Sequence, residues 1–302
     1  MTAHHISHKH VRLFAALAAI PIAVTLTGCS AGQATSAGTT PDAFEHVHGI
    51  AFDPNDDQLT IATHEGIYKL QDTSTNMPAA SGPVGDLDID AMGFTLVDGT
   101  AYASGHPGPN TPQSFGTPNL GLISSSDQGK TWTTLSLAGV ADFHALAVDP
   151  DNSKTILGLS SSDATVYRSD DGGISWDRGA ALTARELAIP ANSSGTVYAT
   201  TDTGLARSKD GGFTFQPVPD APALFLITSD GAQDGRLAGI DTEGNIWRET
   251  REGGWTQEGT IVGTPQAMAA IPGTTRLVIA DDRGISSTED YGRSWDILVP
   301  AP

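Results

Sequence analysis

Cysteine is nearly absent, one in 302 residues. A disulfide framework and a Cys-ligated zinc site are therefore excluded. Bases are scarce as well. Sixteen Lys and Arg face 35 Asp and Glu, a formal net charge of −19, so nucleic acid and anionic lipid surfaces are repelled. No heptad pattern runs through the chain, which excludes a coiled coil. After residue 30 no apolar stretch is long enough to span a bilayer. What is abundant is Gly, with 34, and Pro, with 18, spread along the whole length. Such a load marks many turns. The length suits one large domain or two small ones.

The first residues read as an address. Residues 4–12, HHISHKHVR, carry Lys9 and Arg12 and no acid, and the apolar run LFAALAAIPIAVTLTG follows from Leu13 to Gly28. These are the charged and apolar regions of a secretory signal. The run ends in Leu26-Thr27-Gly28-Cys29. That tetrad resembles the bacterial lipobox, which implies lipidation of Cys29 as the mature N-terminus. The expected organisation is a signal peptide over 1–28, the lipidated Cys29 with a tether over 29–42, and a folded domain over 43–302. The tether, SAGQATSAGTTPD from Ser30, has no large apolar residue to pack. The expected location is the bacterial cell surface, outside the cytoplasm, attached to the membrane through lipid. The mature chain would hold 14 bases against 35 acids, a net charge of −21.

The remainder is a repeat. One motif occurs as SSDQGKTW at 125–132, SDDGGISW at 169–176, SKDGGFTF at 208–215 and TEDYGRSW at 288–295. A degraded copy ends at Trp255. The closing aromatics Trp132, Trp176, Phe215, Trp255 and Trp295 are spaced by 44, 39, 40 and 40 residues, the size of a four-stranded propeller blade. Each repeat divides into four short strands with turn signals between them. The spacing predicts an all-β, six-bladed β-propeller, with seven blades as the alternative. It also predicts a last blade closed by an N-terminal strand near residues 44–46. Within the motif, the carboxylates of Asp127, Asp171, Asp210 and Asp290 are suited to accept backbone N–H bonds across a tight turn, and Gly permits positive φ there. These Asp residues are therefore read as structural. Between the second and third strands of blade 2 lies HPGPNTPQSFGTPN, residues 106–119. So long a loop among short connections is a functional candidate.

Propeller geometry sorts the histidines. Innermost strands begin, and second strands end, at one face, here called the top; the repeated Asp motifs turn at the opposite face. The five His after the signal are His46, His48, His64, His106 and His144, and all fall at the top of blades 1 to 3. His48 and His144 occupy matching positions, as do Asp90 in blade 2 and Arg185 in blade 4. The second strands end at His64, His106, Asp163, Asp202, Asp241 and Asp282. This places imidazoles on one side of the mouth and carboxylates on the other. The candidate metal ligands are His46, His48, His64, His106, His144 and Asp90. Neutral imidazoles suit Cu, Zn or Ni, and the lack of a free thiolate favours Cu(II), Zn or Ni over Cu(I) unless Met92 joins. Three readings stay open for these side chains: ligands for a transition metal or small molecule, acid–base groups on a substrate, or ordinary turn and channel residues.

The four motif copies resemble the Asp box of BNR-repeat, sialidase-type β-propellers, and the resemblance covers nearly all of residues 44–300. It implies the propeller fold. It also offers a glycoside hydrolase of exo-sialidase type as an alternative function. Sialidases use three Arg, a Tyr–Glu pair and an Asp. Here Arg185 and Arg283 are placed for the top face, no Phe/Tyr-Arg-Ile-Pro segment precedes the first box, and Tyr102, Tyr167 and Tyr198 sit inside strands. Photosystem assembly factors and sortilin-like receptors share the boxes without hydrolysis, so a protein-interaction scaffold in the cell envelope is a third function. No catalytic residue is assigned. The partners expected are the membrane and a small ligand, glycan or envelope protein.

Overall fold

The computed structural model describes residues 44, 46–71, 80–193, 195–231 and 234–301. The signal, Cys29 and the tether to residue 42 lie outside the described residues. Six antiparallel sheets follow one another, each of four strands in chain order. The blades span 47–81, 90–136, 143–181, 184–217, 224–260 and 267–300. Their first strands are Val47–Asp53, Asp90–Val97, Phe143–Asp149, Ala184–Ala188, Leu224–Ser229 and Ala267–Ala270. Each first strand touches the first strands of both neighbouring blades, so these six form the inner ring. The chain is a six-bladed β-propeller, as the aromatic spacing predicts, and the seven-blade alternative falls.

The core explains the closure. Buried apolar side chains form six clusters, and every cluster joins two adjacent blades. One of them joins blade 6 to blade 1, packing Ala267, Val278, Ile285 and Leu298 against Val47, Leu59 and Ile61. Each fully buried Leu or Ile contributes roughly 1.5–3 kcal/mol relative to exposure. The blade junctions are therefore the main source of stability. The closing aromatics enter these junctions: Trp132 between blades 1 and 2, Trp176 between 2 and 3, Phe215 between 3 and 4, Trp255 between 4 and 5, and Trp295 between 5 and 6. Blade 1 has no such motif. Phe44 and Tyr68, edge to face at 5.4 Å, take the corresponding place between blades 6 and 1.

Of the residues expected to form a closing strand at 44–46, the described ones, Phe44 and His46, are not in a strand. Blade 6 completes itself with its own last strand, Asp296–Pro300. Phe44 contributes a buried side chain instead. A hydrogen bond from the Val47 N–H to the Gln266 side-chain oxygen, 2.8 Å, ties the first strand to the last blade. The shared apolar cluster makes strand exchange unnecessary.

The repeated motif is a hydrogen-bonded turn. In blade 3, Asp171 Oδ1 accepts the N–H groups of Ile174 and Ser175 at 3.1 and 2.9 Å, and its Oδ2 accepts the Ser175 hydroxyl at 2.5 Å. Ser169 accepts the Gly173 N–H at 2.8 Å and donates to Asp171. Asp127, Asp210 and Asp290 repeat the pattern. Hydrogen bonds from the following Ser or Thr are the largest cause holding Asp171 at about 2, and the other three motif carboxylates sit there too for the same cause. Every oxygen aims into its own turn.

Candidate functional site

The top of the inner ring is shaped by β-bulges. Register shifts occur between Val47 and Gly49, between Asp90 and Gly93, between Phe143 and Ala145, between Ala184 and Leu187, and between Leu224 and Leu226. A bulge frees a residue from the ladder and re-aims its side chain. The residues freed here include His48, Met92, His144, Arg185, Glu186 and Phe225, and these six with Ala184 line a mouth cavity of about 350 Å³. Below it, a channel of about 160 Å³ continues between Ile50, Leu146, Leu187, Ile227 and Met268. The bulges thus convert inner strands, which elsewhere only pack, into presenters of polar side chains.

Two His–Asp triads sit at neighbouring blade junctions. In the first, Asp90 lies between two imidazoles: His48 Nε2 is 3.2 Å from Oδ1 and His64 Nδ1 is 3.2 Å from Oδ2. In the second, Asp142 Oδ2 lies 2.8 Å from His144 Nε2 and 3.6 Å from His106 Nε2. In each triad, three ligand atoms lie within 4.8 Å of one another. That is the separation one ion can bridge after small rotations, given metal–nitrogen bonds of about 2.0–2.1 Å. The His46 ring lies 6.2 Å from that of His64, and His46 itself is exposed.

The four histidines expected in one constellation fall into two three-donor groups, and His48 of the one and His144 of the other line the same mouth cavity. The histidines are divided two and two: His48 and His64 of blade 1 flank Asp90 of blade 2, and His106 of blade 2 joins Asp142 and His144 at blade 3. Gly93 lets the blades come close enough for this: a Cβ there would sit 2.3 Å from the Phe143 carbonyl oxygen of blade 3. The expected carboxylate side of the mouth is corrected. Asp163 binds Tyr167 and Arg178, Asp241 caps Asn245 and Trp247, and Asp282 accepts the Thr264 N–H. Their oxygens serve loops. Asp202 is exposed.

Asp142 is missing from the sequence reading. The signal was its position two residues before His144, where His46 precedes His48 and Asp88 precedes Asp90. Its carboxyl is nine-tenths buried. Burial alone would raise its pKa, but hydrogen bonds from His144 and Ser161 and the nearby imidazole charges outweigh it and hold the pKa below the usual value. Glu186 is the second omission. It faces the channel, and its Oε2 accepts the Ile227 N–H of blade 5 at 2.8 Å. Enclosure in the channel pushes its carboxyl up to about 7, against the lowering effect of that bond and of Arg185.

The long blade-2 loop is folded onto the site. Asp88 accepts the Asn110 N–H and side-chain amide at 2.9 and 3.0 Å and the Thr111 hydroxyl at 3.2 Å. At the other end, the Pro118 carbonyl lies 3.4 Å from His106 Nδ1. Of the two arginines expected at the top, Arg185 stacks on Phe225 at 4.1 Å and lines the mouth. Arg283 is held by Asp281 and Trp295.

No family model matches the chain. A xyloglucanase of Hypocrea jecorina (strain QM6a) is 35% identical over 121 residues, which cover 34% of this chain and 14% of that protein. This chain therefore spans about a seventh of that relative's length. Among solved structures, a GH74 xyloglucanase from Xanthomonas campestris superposes with a TM-score of 0.55 at 20% identity, covering 83% of this chain and 45% of that one. YCF48 bound to D1 peptide superposes with a TM-score of 0.52 at 13% identity, covering 84% and 81%. At these identities the likeness is one of fold: the chain is a propeller similar to those of the GH74 xyloglucanases and YCF48.

Proposed function

We propose that this chain is a lipid-anchored, extracytoplasmic binding propeller of the Asp-box type that holds divalent transition-metal ions, Zn(II) or Cu(II), in its two His–Asp triads. The observation that carries the reading is the pairing of imidazoles around a carboxylate at two adjacent junctions of one mouth. Two imidazoles and a carboxylate are a donor set for borderline metals. The chain's acidity adds a field that concentrates cations. The proposed anchor is Cys29, and the matching location is the bacterial cell surface. The test is metal analysis and calorimetric titration of the purified protein with Zn(II) and Cu(II). Wild type is expected to hold two ions per chain, and the His48→Ala/His144→Ala protein, which lacks one ligand in each triad, to bind far more weakly. Equal weak binding by both proteins would make the imidazoles structural.

A second reading has its own support. The likeness to xyloglucanases favours glycoside hydrolysis, and Glu186, held near neutrality, has the character of a general acid. Glycosidases ordinarily need two carboxyl groups flanking the scissile bond. Glu186 is the one carboxyl among the residues lining the mouth cavity, and a three-arginine clamp of sialidase type is reduced there to Arg185. The hydrolase reading therefore ranks second. Release of reducing ends from xyloglucan, abolished by Glu186→Gln, would reverse the order.

A further inference from the structure

We propose that the mouth cavity binds a free amino acid with an apolar side chain, its carboxylate on Arg185 and its ammonium group on Glu186. Both residues belong to blade 4, and the site needs no metal ion, so it stands or falls apart from the reading of the triads.

A bulge brings the two charges into one cavity. Arg185 and Glu186 are consecutive on an inner strand, where successive side chains ordinarily point to opposite faces. Ala184 pairs with Thr201 and Leu187 with Ala199, so the inner strand carries one extra residue here. Both side chains therefore line the mouth cavity. They do so at different depths. Glu186 also lines the channel below, whereas Arg185 lines only the mouth. The cavity thus has a guanidinium at its outer level and a carboxyl at its inner one.

The protein neutralises neither group. Arg168, Arg236 and Arg283 each pair with an Asp two residues away in the chain, at 2.6, 2.8 and 2.5 Å. The corresponding neighbours of Arg185 are Thr183 and Leu187. In a chain with 35 acids for 16 bases, no carboxylate among the described residues comes within ion-pair distance of its guanidinium. The group is nonetheless held in place. Its Nη2 donates to the Gln266 carbonyl of blade 6 at 3.1 Å, and its Cζ lies 4.1 Å from the Phe225 ring of blade 5. The other N–H groups keep the planar fork that matches a carboxylate. Glu186 is also half used: Oε2 accepts the Ile227 N–H at 2.8 Å, and Oε1 accepts no bond from the described residues. Enclosure pushes this carboxyl up to about 7, and a cation beside it favours the ionised form.

The ligand follows from the pair. A simple anion satisfies Arg185 and brings nothing to Glu186. A simple amine meets Glu186 and is repelled by Arg185. A zwitterion supplies both charges, and being neutral overall it is not repelled by the net charge of −19. Ala184, Met92 and Phe225 offer apolar contact to its side chain. A volume of about 350 Å³ lies at the small end of ligand pockets, roughly 300–1,000 Å³, which suits a molecule of this size.

The experiment is calorimetric titration of the full-length protein with L-leucine, with EDTA present throughout so that no metal ion takes part. Two analogues each lack one charge: 4-methylpentanoate has no ammonium group and 3-methylbutylamine no carboxylate. Wild type is expected to bind leucine at least about tenfold more tightly than either analogue, the loss that goes with one charge-assisted contact. Glu186→Gln is expected to bind leucine only as well as wild type binds 4-methylpentanoate, and to bind 4-methylpentanoate unchanged. Arg185→Gln is expected to lose leucine affinity to the same extent while gaining affinity for 3-methylbutylamine. Absence of leucine binding by wild type would overturn the proposal, as would analogues that bind as tightly as leucine. The analogue comparison needs no substitution, so it decides the matter even where a variant fails to fold. Leucine affinity unchanged in a folded Glu186→Gln or Arg185→Gln protein would overturn the proposal as well.

Discussion

His48 Nε2 and Asp90 Oδ1 stand 3.2 Å apart, both buried, in an orientation that forms no hydrogen bond. A buried donor or acceptor left in this state costs about 1–3 kcal/mol. An ion placed between the atoms would satisfy both. Asp90 is also the hinge of its triad, since its other oxygen faces His64. Asp90→Asn keeps the shape but removes the negative charge and offers a poor ligand. Zn(II) affinity at the first triad is expected to fall at least tenfold, in the range seen for metal-site partners, with little change in melting temperature. Titration of Asp90→Asn in the His106→Ala background isolates that triad and checks the outcome.

Acid should release the ions through the imidazoles. Each ligating imidazole must be neutral, so protons compete with metal as pH falls through the range in which imidazole ordinarily titrates, about 6.5. Asp142 is held below the usual carboxylate value, so it stays charged across that range. Loss of metal from the second triad in acid is therefore expected to be accompanied by net proton uptake. Calorimetric titrations in buffers of different ionisation enthalpy count those protons. An uptake of none would remove the imidazoles from the ligand set.

Glu186 gives the fold a pH dependence of the opposite kind. Its carboxyl is raised to about 7 by enclosure, from an ordinary 4.5. Between these values the folded chain holds a proton that the unfolded chain has lost. The stabilisation is full below the unfolded value and is lost as pH rises through the folded one. Glu186→Gln removes the ionisation while keeping an oxygen for the Ile227 N–H. The variant is expected to match wild type near pH 4.5 and to exceed it by roughly 2 kcal/mol at pH 8. Urea unfolding at the two pH values measures the difference, and an equal offset at both would mean that Glu186 titrates normally.

The blades were legible in the sequence because their signal repeats. The aromatics from Trp132 to Trp295 mark one junction after another, and strands such as Thr165–Ser169 and Trp255–Thr260 lie where alternation and turn residues put them. The ring closure was not legible, because Phe44 looks like the start of a strand and acts as a packing side chain. At the site, the grouping of histidines at the top of blades 1 to 3 followed from strand position alone. Their division into two triads did not. It depends on β-bulges, which shift the ladder by one residue without any change in local composition. Asp142 and Glu186 were missed for the same reason: inner-strand alternation assigns them no common face, and the bulges or their flanks turn them inward.

Gly93 joins packing to the site. This residue lies on the inner strand of blade 2, just below the bulge that frees Met92. A Cβ there would meet the Phe143 carbonyl oxygen at 2.3 Å and its carbon at 3.2 Å, both backbone atoms of blade 3. Backbone cannot rotate away as a side chain can, so the two blades must separate. Overpacking of this kind costs about 1–3 kcal/mol. Phe143 sits between Asp142 and His144, so the displacement moves two ligands of the second triad together and leaves His48 and His64 on blade 1 untouched. Gly93→Ala is therefore expected to lower unfolding free energy by that amount and to weaken Zn(II) binding at the second triad more than at the first. Urea unfolding gives the stability change. Titration of Gly93→Ala in the His64→Ala and His106→Ala backgrounds separates the triads, and equal weakening of both would mean that the strand contact at Phe143 does not position the site.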